Sequence, residues 1–112
     1  MLFRSINLAS HLLADGFAGS YEAAIVVSGD SDFMTPVRMV REVVGRPVGI
    51  LNPQRISGPD SRPVRNSAGL LKAASFYQNG VTWSQLVRAQ LPLVLSDAAG
   101  PIHRPSEWAH PD

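Results

Sequence analysis

The feature that most constrains the fold is a short, β-branched apolar run that passes through a glycine turn directly into a helical pattern. Residues 22–28 (EAAIVVS) predict a buried strand, and because both of its faces are apolar we expect it in the centre of a parallel sheet. Residues 33–44 predict a helix with Pro36 in its first turn, and residues 47–51 (PVGIL) predict a second strand. These elements form a βαβ unit, which indicates an α/β fold with a mostly parallel sheet.

Weaker patterns flank this unit on both sides. Residues 5–17 predict an amphipathic helix with Ser5 as its N-cap, while residues 52–66 contain Pro, Gly and Arg without apolar periodicity and predict a loop. Further Pro and Gly residues towards the C-terminus predict an irregular tail, so we expect a domain over residues 1–92 and a tail over residues 93–112. Shorter elements are expected at residues 68–74 (helix), 75–78 (edge strand) and 82–90 (helix).

Composition limits the functional classes. The chain has 112 residues, 45% of them hydrophobic and 17% charged, which indicates one folded domain rather than a disordered chain. Its formal net charge of +1 gives no indication of a polybasic nucleic-acid or membrane binder. Cysteine is absent, which excludes disulfides, cysteine-ligated zinc and thiol nucleophiles. No apolar run is long enough to span a bilayer, and the first residues lack the continuous apolar segment of a signal peptide, so we expect a cytoplasmic protein.

The strongest chemical signal is the turn between the first strand and its helix. Asp30 and Asp32 stand two residues apart at the carboxyl end of a strand, where open parallel sheets bind their ligands. Close carboxylates repel each other unless a cation lies between them, and oxygen ligands suit Mg²⁺ or Mn²⁺. Gly29 allows close backbone approach, and Ser28 and Ser31 can hydrogen-bond the carboxylates or a metal-bound water. The alternative is that Asp32 only caps the helix and Asp30 only forms the turn.

The segment VVSGDSDFMTPVRMVREVVGRPVGIL resembles the signature of the NYN domain, a branch of the PIN-like nucleases. Three flanking segments (INLASHLLADGF, NSAGLLKAASFYQ and LPLVLSDAAGPIHRPSEW) are similar to family segments in the same order, so the resemblance covers most of the chain. It implies a three-layer α/β/α fold and a bacterial, Mg²⁺- or Mn²⁺-dependent ribonuclease that hydrolyses phosphodiester bonds of RNA. Asp30 and Asp32 match the last acidic pair of the family, which makes them the implied metal ligands and catalytic residues.

The resemblance also implies that part of the acidic cluster is absent. The family places its first acid at the end of a strand before the first helix, and no such strand precedes the helix here. Ser5 and His11 occupy two further positions that are acidic in the family. The alternative function is therefore a non-catalytic module that keeps the fold and binds RNA or a protein, including a second copy of itself. An in-frame strand ending in Asp upstream of Met1 would instead complete the nuclease.

Arginines and aromatic residues supply the remaining candidates. Arg55, Arg62 and Arg65 occupy the loop after the second strand, where they can contact RNA phosphates, although a purely solvated loop is the simpler interpretation. We expect Trp83 and Trp108 to pack rather than to stack on bases. The other expected positions are His11 beside the apolar helix face, His103 and His110 in solvent, and Phe33 in the core.

Spacing disfavours two other enzyme classes. Residues 29–31 form a G-D-S block like that of serine esterases, with Ser31 as nucleophile, but His103 does not belong to the D-x-x-H motif that would supply their base. An aspartyl phosphatase of the D-x-D type needs a later lysine and acidic motif, which the chain lacks. Both interpretations are weaker than a metal-dependent nuclease.

Overall fold

The structure, a computed structural model, describes residues 2–63 and 67–108. Its helices and strands follow one another in the predicted order, with a hairpin added near the C-terminus. The elements are α1 (Leu2–Phe17), β1 (Ala24–Val27), a 3₁₀ turn (Ser31–Phe33), α2 (Met34–Met39), a π-helical turn (Val40–Val44), β2 (Val48–Leu51), α3 (Ala68–Ala73), β3 (Phe76–Gln78), α4 (Trp83–Arg88), β4 (Val94–Asp97), β5 (Gly100–His103) and a final 3₁₀ turn (Ser106–Trp108). No helix among the described residues is long and apolar enough to cross a membrane.

Strands β1, β2 and β3 form a parallel sheet in that order, which confirms the α/β class and the βαβ unit. Val26 pairs with Ile50, and Ile50 pairs with Tyr77. The prediction that the first strand is central is wrong within the described residues, because β2 is the middle strand and β1 lies at an edge. Apolar residues on both faces of β1 suggested two covered faces, yet Ile25 and Val27 are exposed.

Helices cover one face of this sheet. Helix α2 contacts both α1 and α3, and side chains of these helices pack against the buried side chains of β1 and β2. On the opposite face, Ile25 is 64% exposed and Phe76 is 52% exposed. The described residues therefore form two layers, and the implied three-layer arrangement is not confirmed. The buried core consists of Leu12, Val26, Phe33, Val37, Val40, Val48, Ile50, Leu70, Ala73 and Ala74.

The helix expected over residues 33–44 is divided into three consecutive helical segments of different pitch. A 3₁₀ turn precedes α2, and a π-helical turn follows it. The backbone N–H of Gly45 donates to the carbonyl of Val40 at 2.9 Å, five residues back, which is the π-helical pattern. Gly45 then ends the helix with a left-handed φ of 80°, a conformation that glycine adopts without steric cost.

The expectation of an irregular tail over residues 93–112 is wrong where the structure forms a hairpin. Strands β4 and β5 pair antiparallel around a two-residue turn, and the Asp97 carboxylate accepts the N–H of Ala99 at 2.8 Å. Pro101 suggested an irregular segment, but a two-stranded ribbon has free edges where a residue without an N–H is tolerated. All four residues of β4 are exposed.

Candidate functional site

The carboxyl ends of the three parallel strands bring polar residues from distant parts of the chain to one edge. Residues 28–30 follow β1, Asn52 follows β2, and Asn79 follows β3. The strands stay paired up to this edge, since Ser28 N–H donates to the carbonyl of Leu51 at 3.0 Å and Asn52 N–H donates to that of Gln78 at 2.9 Å. This edge is where open parallel sheets bind their ligands.

Asp30 is held at this edge by three hydrogen bonds. Its Oδ1 accepts the N–H of Asp32 at 2.9 Å, so Asp30 is the N-cap of the 3₁₀ turn. Its Oδ2 accepts the hydroxyl of Ser5 at 3.3 Å, and its own N–H donates to Ser28 Oγ at 3.0 Å. The capping role that the alternative interpretation gave to Asp32 therefore belongs to Asp30. The carboxylate is half-buried and fixed in orientation.

The position of Ser5 corrects a second expectation. Helix α1 begins at Leu2, so Ser5 lies within the helix rather than at its N-cap. Its side chain instead reaches the Asp30 carboxylate, across 25 residues of sequence. The helix position that the NYN resemblance aligns with an acid is therefore beside the first carboxylate of the turn.

The other residues of the turn differ in their surroundings. Asp32 and Ser31 are exposed, and the Ser31 hydroxyl has no hydrogen-bond partner among the described residues. Phe33 is buried in the core, as expected. A Cβ at Gly29 would lie 2.7 Å from Asn52 Oδ1, so a larger residue here would require the Asn52 side chain of the neighbouring strand end to move.

An amide cluster beside Gly29 was not anticipated from the sequence. Asn52 Nδ2 donates to the Tyr77 hydroxyl at 3.4 Å and to Asn79 Oδ1 at 3.5 Å. Gln54 Nε2 donates to the Asn79 carbonyl at 2.9 Å. The available signal was an asparagine directly after the predicted strand 47–51 and another directly after the predicted strand 75–78. These amides continue the polar edge from Asp30 towards the loop after β2.

That loop carries two of the predicted arginines. The Arg55 guanidinium lies over the Trp83 ring, 5.2 Å from its centroid. Arg62 is exposed and lines a surface pocket together with Arg55. Trp83 is half-buried and packs, as expected. Arg65 lies outside the described residues.

The remaining candidate residues do not lie at the carboxyl-end edge of the sheet. His11 is exposed on α1, and His103 is exposed on β5. Trp108 is 73% exposed, so the expectation that it packs is wrong in this structure. His110 lies outside the described residues. Within residues 2–63 and 67–108, no group of three or more His, Asp or Glu side chains is placed to hold a metal ion.

Comparisons with known proteins found no match that bears on this site. No protein-family model matches the chain. No curated protein and no solved structure is significantly similar to it.

Proposed function

We propose that this chain is a divalent-metal-dependent ribonuclease of the NYN type whose site has fewer acidic residues than that of the family. The observation that supports it is the hydrogen bond from Ser5 to Asp30 Oδ2 at 3.3 Å. The resemblance aligned Ser5 with a family acid on grounds of sequence order alone. A misplaced alignment would give no reason for that helix position to meet the carboxylate of the turn.

The residues present fit a cation held mainly by water and by substrate. Mg²⁺ is usually bound through one or two carboxylates, with waters and substrate phosphates completing its shell. Asp30 and Asp32 supply two carboxylates, and each oxygen of Asp30 that accepts one hydrogen bond retains a second acceptor site. When bound, such a cation activates water and offsets the negative charge that develops on a phosphate.

The chain's own residues prepare this edge before any ligand arrives. The N–H of Asp32 and the hydroxyl of Ser5 fix the two oxygens of Asp30, so the carboxylate does not need to be ordered on binding. Ser28 Oγ accepts the N–H of Asp30 and holds the turn closed. Asp32 extends from this turn into solvent, where a substrate phosphate can approach.

The proposal includes the PIN-like, three-layer form of the fold. The face of the sheet that carries Ile25, Val27 and Phe76 is apolar and exposed. A sheet whose two faces are both apolar is typical of α/β proteins with helices on both sides. Further chain, or a second copy, on this face would complete the third layer.

The direct test is cleavage of a single-stranded RNA in the presence of Mn²⁺ or Mg²⁺. We expect slow, metal-dependent cleavage that Asp30→Asn reduces at least about 100-fold, since an amide keeps the shape but is a far weaker ligand. Glu22→Gln removes an exposed carboxylate away from the edge and should leave cleavage unchanged. Cleavage that persists in EDTA, or that Asp30→Asn leaves intact, would contradict the proposal.

A second candidate function is a non-catalytic RNA-binding module. It is favoured by the lack, among the described residues, of a third acidic or histidine side chain beside Asp30 and Asp32. This candidate predicts RNA binding that EDTA does not change, with no cleavage by the chain under any metal condition. The two candidates are separated by the same assay, read for both binding and product.

A further inference from the structure

The loop after β2 forms a second polar site beside the acidic edge. The loop borders an open surface pocket of about 700 Å³, a volume within the range of ligand pockets. Its lining contains two guanidinium groups and one carboxylate, that of Asp60, so its net charge is positive. The lining residues are Gln54, Arg55, Asp60, Ser61, Arg62 and Pro63.

The wall of the pocket that carries Arg55 is fixed to the neighbouring strand end and helix. Val81 N–H donates to the Gln54 carbonyl at 2.8 Å, and Ile56 N–H donates to the Val81 carbonyl at 2.9 Å. The N–H of Trp83 donates to Ser57 Oγ at 2.9 Å. The backbone around Arg55 is therefore tied at three points, unlike that of a freely solvated loop.

The Arg55 side chain is oriented as well. Its guanidinium lies over the Trp83 ring at 5.2 Å from the centroid, in the range of a cation–π contact. This contact uses the charge of the guanidinium and none of its N–H donors, which can pair bidentately with a phosphate. The contact thus restrains Arg55 without using its donors.

Neither arginine of this pocket forms an ion pair within the described part of the protein, although Asp60 also lines the pocket. The ion pair found among the described residues joins Arg41 and Glu42, away from the pocket. Neither Arg55 nor Arg62 has a carboxylate of a described residue within 4.0 Å. Neither side chain donates a hydrogen bond to a described residue.

We propose that Arg55 and Arg62 bind a phosphate group, and that this phosphate belongs to the backbone of an RNA chain that also reaches Asp30. The inference rests on the proposed function for the identity of the polymer. Its geometric support is the amide cluster, in which Gln54 of the pocket bonds Asn79 at the edge that carries Asp30. A phosphate-binding pair at this point offsets the repulsion between an RNA backbone and the two carboxylates.

The test is fluorescence anisotropy of a labelled 12-nucleotide single-stranded RNA in EDTA, where no metal contributes to binding. We expect Arg55→Gln and Arg62→Gln each to weaken binding about tenfold, because each removes a charge-assisted contact. The two substitutions together should lower the slope of log affinity against log salt by about 0.7, the value for one phosphate contact on a single strand. Arg88→Gln, at an exposed arginine of α4, is the matched control and should leave affinity unchanged.

A conservative variant and two free ligands sharpen the result. Arg55→Lys keeps the charge but loses the planar fork of donors, so it should recover only part of the affinity. Inorganic phosphate and adenosine monophosphate should compete only at far higher concentration than the oligonucleotide. Equal competition by adenosine monophosphate would overturn the assignment to an RNA backbone, and equal effects of Arg88→Gln and Arg62→Gln would overturn the pocket itself.

Failure of this inference is distinguishable from failure of the proposed function. Asp30→Asn should not weaken binding in EDTA, because the pocket does not include Asp30 and the substitution removes a carboxylate that repels the RNA backbone. Metal-dependent cleavage with no loss of binding in Arg55→Gln and Arg62→Gln would refute the pocket while leaving the nuclease intact. Loss of binding in these two variants without cleavage by the wild type would support the pocket and refute the nuclease.

Discussion

The three-stranded parallel sheet and the C-terminal hairpin lie in opposite environments. Val48 and Ile50 of β2 are buried beneath α1–α3, whereas every residue of β4 is exposed. A two-stranded hairpin is at best marginally stable in water unless something packs on it. The difference shows that pairing into strands does not by itself bring burial, which depends on which elements cover the strands.

The total surface agrees with this contrast. The chain exposes 8113 Å², against roughly 6,000 Å² expected of a compact protein of its 12.1 kDa mass. The excess is consistent with the open face of the sheet and with the hairpin. Coverage of these surfaces by a second copy of the chain or by a protein partner stays a prediction.

The largest expected effect is a difference in the free energy of unfolding between variants at one buried and one exposed leucine. Leu70 of α3 is fully buried, while Leu95 of β4 is 38% exposed. We expect Leu70→Ala to lower the free energy of unfolding by about 2–5 kcal/mol, through lost burial and the cavity left behind. Leu95→Ala should change it by less than about 0.5 kcal/mol. Urea denaturation of both variants measures the difference, and equal losses would show that the hairpin is part of the core.

A smaller effect compares two aspartates that make the same kind of hydrogen bond. Asp30 accepts the N–H of Asp32 in the parallel-sheet region, and Asp97 accepts the N–H of Ala99 in the hairpin turn. Asp30→Ala should lower the free energy of unfolding by about 1 kcal/mol, the usual cost of losing an N-cap. Asp97→Ala should leave global unfolding nearly unchanged. A comparable loss in Asp97→Ala would mean that the two regions unfold together.

The smallest effect is a pH dependence confined to the parallel-sheet region. Burial, and secondarily the negative charge of Asp15, raise the pKa of Tyr21, whose hydroxyl donates to the Leu12 carbonyl at 2.6 Å. Because the folded-state pKa is above the unfolded value of about 10, the stabilisation is complete below pH 10 and is lost as pH rises through the folded value. Tyr21→Phe should flatten this decline in thermal melts above pH 10. If Tyr21→Phe leaves the decline in thermal stability unchanged, other titrating groups cause it.

Much of the parallel-sheet region could be predicted from local sequence. The β-branched run, the turn and the valine periodicity each specify their element, so β1, β2 and the carboxyl-end position of Asp30 follow directly. The central position assigned to β1 failed, because apolar composition does not reveal which face a helix covers. The helix over residues 33–44 was right in place but not in pitch, since the bond from Gly45 to Val40 depends on how the chain leaves the helix.

The long-range parts of the site could not be predicted in the same way. Ser5 was assigned to a cap because local rules favour serine there, and its contact with Asp30 depends on how α1 packs. Asn52 and Asn79 meet only because parallel strands end at one edge, a consequence of tertiary structure. The hairpin was missed because Pro101 argues against a strand unless the strand has a free edge.

Above all, we propose that Asp30 and the position of Ser5 belong to one metal site that has few acidic ligands. Calorimetric titration with Mn²⁺ tests it on the wild type, Asp30→Asn, Ser5→Asp and the control Ser10→Asp, which alters an exposed serine of the same helix. We predict weak binding by the wild type and by Ser10→Asp, none by Asp30→Asn, and binding at least about tenfold tighter by Ser5→Asp, because a carboxylate then joins Asp30. Absence of binding by both the wild type and Ser5→Asp would contradict the account.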